Sequence, residues 1–163
     1  MIIKGLQDEV FGDYKKPAMQ IVFPTCSFKC DKENGCKLCQ NASLARSLPM
    51  SYFTPALIRR YLDNPITKAI VCGGLEPFDS PDDLLELVIL LREKCDDDVV
   101  IYTGYTEEEL QENDTYKAIC GFNNIIIKFG RFRPGQEPHY DEVLGIKLAS
   151  DNQYAKRVSN ERI

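Results

Sequence analysis

The sequence lacks the features that mark several large classes of protein. No apolar run approaches the roughly eighteen residues that a bilayer-spanning helix needs. The opening MIIKGLQDEV has neither the long apolar core nor the small-residue cleavage site of a secretory signal, so a cytoplasmic protein is expected. Twenty Lys and Arg stand against 25 Asp and Glu, a net charge of −5. The basic residues are scattered, without the stripe that neutralises nucleic-acid phosphates, so neither nucleic acid nor membrane is an expected partner. The single histidine, His139, sits in the polar stretch GQEPHYDE, and no Ser–His or Cys–His arrangement can be inferred around it. Low-complexity tracts, internal repeats and Pro/Gly/Ser linkers are also missing. At 163 residues, 44% of them hydrophobic, the chain is expected to form one domain over residues 1–163 with a sizeable core.

What is there alternates between strand and helix signals. Ala18 to Phe23 (AMQIVF) is a short apolar run closed by Pro24, a first strand. Thr54-Pro55 offers an N-cap before a first-turn proline, with Leu57, Ile58, Tyr61 and Leu62 on one helical face and Asn64-Pro65 as the stop. Lys68 to Cys72 predicts a second strand ending in Gly73-Gly74. Ser80-Pro81-Asp82-Asp83 starts a helix along which Leu84, Leu87, Val88 and Leu91 repeat at three- and four-residue steps. Val99 to Tyr102 is a third strand, Thr106 and Glu109 form a capping box, and Asn124 to Lys128 is a fourth strand of the near-continuous apolar kind that parallel sheets bury. Val143 to Leu148 is a candidate fifth.

Such alternation predicts right-handed βαβ units and a mostly parallel sheet. A closed eight-unit barrel takes roughly 250 residues, so this length allows only a partial (β/α) barrel of minimal size. TCSFKC, GGLEPF, TGY and GRF each directly follow one of the four strands. In a parallel α/β layer these loops share the edge where ligands bind.

Seven cysteines are present, and four of them, Cys26, Cys30, Cys36 and Cys39, are separated by three, five and two residues. In a reducing compartment such a cluster is a metal site rather than a disulfide framework. Thiolates at this density select zinc or an iron–sulfur cluster, and a closed four-cysteine zinc knuckle and an iron–sulfur site both stand on the cysteines alone. Cys72, Cys95 and Cys120 read as buried small hydrophobes, and Asp96-Asp97-Asp98 as a solvated turn.

The cysteine loop after the first strand, together with GGLEPF after the second, resembles the radical S-adenosylmethionine (radical SAM) superfamily. Within it, IYTGY at 101–105, GRF at 130–132 and LGIKLASDNQ at 144–153 are similar to the activating enzyme of anaerobic (class III) ribonucleotide reductase. The resemblance covers about Met19 to Gln153. It implies a [4Fe-4S] cluster held by Cys26, Cys30 and Cys39, with a six-residue insertion between the second and third ligands. Cys36 is a rival, because Cys30, Cys36 and Cys39 also form a triad. Leu75, between the glycine pair and Glu76, is a second departure from the family pattern. Three thiolates leave one iron open, to be chelated by the amino and carboxylate groups of S-adenosylmethionine. One electron from the cluster then yields a 5′-deoxyadenosyl radical, chemistry that belongs to the cofactor.

The resemblance also implies cofactor contacts. Gly73 and Gly74 permit close backbone approach along the methionine end, and Glu76 accepts from its ammonium. Thr103, in the YTGY segment, presents a hydroxyl to the ribose or the methionine carboxylate, or merely ends a strand. Lys128 meets a carboxylate or snorkels to solvent. The expected partner is a glycyl-radical enzyme such as anaerobic ribonucleotide reductase, because about four βα units cover little more than the cofactor and a protein substrate can complete the cavity. A flavodoxin or ferredoxin is the expected electron donor. The alternatives are a small-molecule radical SAM enzyme resembling 7-carboxy-7-deazaguanine synthase and a non-catalytic zinc-binding adaptor.

Overall fold

The computed structural model describes residues 1–26 and 46–159. Cys30, Cys36 and Cys39 lie outside the described residues. The chain opens with β1 (Ile2–Ile3), β2 (Gly5–Val10) and β3 (Ala18–Phe23), and resumes with β4 (Met50–Ser51), α1 (Thr54–Asp63) and β5 (Ala69–Gly74). A short 3-10 turn at Pro77–Asp79 leads into α2 (Pro81–Arg92), β6 (Asp98–Tyr102), α3 (Glu107–Leu110), α4 (Asp114–Ile119) and β7 (Ile125–Phe129). The last described elements are β8 (His139–Asp141), β9 (Ile146–Leu148) and β10 (Tyr154–Arg157).

The central sheet has six strands in the order β10-β7-β6-β5-β3-β2. β3, β5, β6 and β7 are parallel, and antiparallel β2 and β10 form the two edges. Among the described residues the sheet is open, an α/β layer with a mostly parallel core. The four parallel strands lie side by side in sequence order, as successive βαβ units place them.

Strand alternation divides the core by face. Met19, Ile21, Phe23, Ile70, Cys72, Val99, Ile101, Ile125, Ile127 and Phe129 pack with buried residues of the four described helices. Ala18, Ala69, Val71, Val100 and Ile126 face the other way, against Tyr14, Leu144, Leu148 and Ala155. Helices thus cover one face, while a loop before β3 and the β8–β9 hairpin cover part of the other.

Local sequence accounts for most boundaries. Asp82 and Asp83 lie in the first turn of α2 and Arg92 in its last, each matched to the helix dipole, and Leu84, Leu87, Val88 and Leu91 are fully buried. Thr106 and Glu109 form the expected capping box, and the Asn113 side chain caps α4 by accepting from Tyr116 N at 2.9 Å. No helix among the described residues is long and apolar enough to cross a membrane.

Several local expectations change, and of the three cysteines read as buried only Cys72 is fully so, Cys95 and Cys120 being half-buried. Phe53 rather than Thr54 caps α1, because the Thr54 hydroxyl donates to Glu86 Oε2 at 3.0 Å on the neighbouring helix. The Val143–Leu148 stretch joins no central sheet: Ile146–Leu148 folds back on His139–Asp141 as a hairpin. Gly145 turns the chain at φ +73°, and Asp141 Oδ1 accepts from Leu144 N at 2.9 Å. Asp98 is buried rather than solvated, accepting from Tyr14 Oη and Lys16 Nζ, both at 2.8 Å.

Candidate active site at the carboxyl edge of the sheet

The parallel strands bring their following segments to one edge. β3 leads to Thr25 and Cys26, β5 ends in Gly73-Gly74 and passes to Leu75 and Glu76, β6 leads to Thr103 and Gly104, and β7 to Gly130. All of these residues except Thr25 border a cavity of about 580 Å³ on the face that the described helices leave uncovered, a volume in the range of small-molecule sites. Val22, Gly73, Tyr102 and Lys128 form its wall along the sheet, Ile146 to Ala149 of the hairpin lie across from them, and Asp13, Gln7 and Gln20 extend it toward β2.

The two glycines do different things. Gly74 has φ +82°, and a Cβ there would lie 2.3 Å from Val22 Cγ1, so the fold itself requires glycine. Gly73 has ordinary backbone, and an added Cβ would meet only Tyr102 Cβ, at 3.7 Å. Neither strain nor packing demands glycine at 73, and the missing side chain leaves open cavity wall.

Glu76 is 5% exposed and enclosed by donors from this chain. Its Oε1 accepts from Phe78 N at 3.1 Å and Thr103 Oγ1 at 2.8 Å, and its Oε2 from Gly104 N at 2.9 Å. Burial raises its carboxyl to about 7, against the opposing pull of these three hydrogen bonds, with Asp79 adding a smaller upward push. A carboxylate oxygen offers two lone-pair directions, so one direction on Oε2 is left for a further donor.

Lys128 does not snorkel. It is 7% exposed, donates from Nζ to Gly130 O at 3.0 Å and stands 5.9 Å from the centroid of the Tyr102 ring. A buried ammonium beside a cavity is suited to an anionic ligand group. The Tyr102 hydroxyl donates to Asp13 O, and Gln20 Nε2 donates to Asp13 Oδ2 at 2.8 Å. Thr103 is 1% exposed, with its hydroxyl engaged by Glu76 and by Tyr105 N at 3.0 Å.

Of the expected site residues, Cys26, Gly73, Gly74, Glu76, Thr103 and Lys128 all border this one cavity. Sequence reasoning missed Asp13 and Gln20. The alternation of β3 pointed Gln20 to the face of Ala18 and Val22, but nothing local to Asp13 told where its loop would fold. Among the described residues no group of three metal-ligating side chains comes together, and Cys26, half-buried at the cavity, is the only described member of the cysteine cluster.

Cys26, the described start of the cysteine cluster, follows a parallel strand at the carboxyl edge of the sheet and borders the cavity, where soft thiolates suit zinc or an iron–sulfur cluster. Residues 19–153 match the model of the 4Fe-4S single cluster domain, and the chain belongs to that family. No curated protein matches it. The donor set is compatible: soft thiolates suit iron–sulfur clusters as they do zinc, and Cys26 borders the same cavity as Gly73 and Glu76.

Proposed function

We propose that this chain is a minimal radical SAM enzyme, one domain over residues 1–163 built as a partial (β/α) barrel, that activates a glycyl-radical enzyme. The observation that carries this reading is the single cavity bordered by Cys26, Gly73, Glu76 and Lys128 in a member of a 4Fe-4S family. Sequential parallel strands with the described helices on one face support the partial-barrel assignment, because a barrel wall keeps its helices outside and its ligands at the carboxyl ends.

In this reading Cys26, Cys30 and Cys39 hold the cluster. Bound together, the reduced cluster and S-adenosylmethionine would supply a 5′-deoxyadenosyl radical. The chain's own residues bind and orient. Gly73 leaves room for close approach along the sheet, the remaining lone-pair direction of Glu76 Oε2 accepts from an ammonium, and Lys128 faces a carboxylate. The β8–β9 hairpin screens the cavity from water on the side away from the sheet. A glycine-bearing loop of a partner protein, with anaerobic ribonucleotide reductase as the partner proposed and a flavodoxin or ferredoxin as electron donor, would complete the enclosure.

The test is activation of that partner. The iron-loaded, reduced chain, incubated anaerobically with S-adenosylmethionine and anaerobic ribonucleotide reductase, is expected to give the electron paramagnetic resonance doublet of a glycyl radical. Cleavage of S-adenosylmethionine without that doublet would remove the activase assignment and favour a small-molecule substrate.

A further inference from the structure

We infer that Thr103 is a positioning residue: it holds the Glu76 carboxylate, and through Glu76 the Thr25–Cys26 segment, at a fixed place on the cavity wall. This rests on the radical SAM reading for the ligand that Glu76 would meet, but the contacts stand without it.

Thr103 sits at the centre of a hydrogen-bonded belt across the carboxyl edge. Its own N–H donates to Lys128 O at 2.9 Å, tying the end of β6 to β7. Its hydroxyl donates to Glu76 Oε1 at 2.8 Å and accepts from Tyr105 N at 3.0 Å. Glu76 in turn donates its N–H to Thr25 O at 2.8 Å, one residue before Cys26. At the other end, Gly130 N donates to Tyr105 O at 3.1 Å. The segments following all four parallel strands are thereby linked.

The terminal torsion of a glutamate is broad and roughly two-fold, so its hydrogen bonds decide which oxygen faces which way. Phe78 N and Thr103 Oγ1 together fill both lone-pair directions of Oε1. Oε2, with Gly104 N as its partner, is then the oxygen with a direction to spare. With its hydroxyl proton given to Glu76, Thr103 has nothing left to donate to a ligand, so its influence on one passes through the carboxylate. Without the hydroxyl, Oε1 would keep one partner and the carboxylate could turn.

Thr103→Val keeps the shape and deletes the hydroxyl; Thr103→Ser keeps the hydroxyl. In the metal-free protein, Thr103→Val is expected to raise the titration midpoint of Glu76, followed by carboxyl-carbon nuclear magnetic resonance, because the lost bond favours the ionised form. It should also speed exchange of the Glu76 and Gly104 amides, and Thr103→Ser should restore both. In iron-loaded protein, Thr103→Val is expected to weaken S-adenosylmethionine binding about tenfold, the lower end for partners that orient a metal-site ligand, with Thr103→Ser close to wild type and iron content unchanged. Thr103→Ala supplies the same readouts if the valine variant does not fold. An unmoved Glu76 titration on loss of the hydroxyl, or a serine variant that fails to restore it, overturns the inference. If wild type itself does not bind S-adenosylmethionine, the proposed function falls, while the titration and exchange results still decide the role of Thr103.

Discussion

Gly74 stands against Val22 so closely that a Cβ would come within 2.3 Å of the valine Cγ1 and 3.0 Å of its Cα, at a φ of +82°. Its neighbour Gly73 is under no such constraint. Gly74→Ala is therefore expected to destabilise the protein by at least the 1–3 kcal/mol or so of a strained backbone, read as a lower thermal midpoint. Gly73→Ala is expected to leave the midpoint unchanged or slightly raised, since alanine loses less chain entropy than glycine, yet to reduce cofactor affinity in a calorimetric titration. Undiminished affinity would mean that no ligand runs along that wall.

Glu76 should make stability fall as the pH rises. Its folded carboxyl lies near 7, above the ordinary 4.5, so its contribution is complete below the ordinary value and lost between 4.5 and 7. A shift of this size is worth about 3 kcal/mol. Denaturant unfolding from pH 4 to pH 8 on wild type and Glu76→Gln checks this: the variant should lack that component. Identical pH profiles would show that the carboxylate is hydrated and unperturbed.

Asp98 should do the opposite. Burial alone would raise its carboxyl, but hydrogen bonds from Lys16 and Tyr14, with the charges of Lys16 and Arg157, hold it below the ordinary 3.8. Its contribution is present above the ordinary value and is lost as pH falls through the folded one. Asp98→Ala leaves the nearly buried Tyr14 hydroxyl without its acceptor, and a loss of about 1–3 kcal/mol is expected in urea unfolding. A neutral result would assign the anchoring of that loop to Tyr14 packing alone.

These residues also mark what a sequence can reveal. Strand β3 and the leucine face of α2 were legible because apolar periodicity and Ser80-Pro81-Asp82-Asp83 are local signals. The gathering of GGLEPF, TGY and the first cysteine at one edge was legible because parallel topology places successive βα loops together. From sequence alone Asp98 reads as solvated, because its partners, Tyr14 and Lys16, are more than eighty residues away. The Val143–Leu148 stretch carries a strand pattern, but pattern alone does not name a pairing partner. The engagement of Thr103 by Glu76 depends on the placement of two loops, which no local rule supplies.

The cysteine assignment makes a graded prediction. Replacing Cys26, Cys30 or Cys39 by alanine leaves two protein thiolates from the proposed set, and iron content after anaerobic reconstitution should drop sharply. Cys36→Ala should retain iron. If Cys26→Ala retains iron while Cys36→Ala loses it, the triad runs Cys30, Cys36 and Cys39. Loss in all four would indicate a closed cluster suited to electron transfer.

The most direct measurement of the central claim is product analysis of the anaerobically reconstituted, dithionite-reduced protein incubated with S-adenosylmethionine. About four irons per chain, as one cubane cluster requires, together with equimolar methionine and 5′-deoxyadenosine, is the predicted result. Stoichiometric zinc with no iron, or a four-iron cluster that leaves S-adenosylmethionine intact, would contradict it.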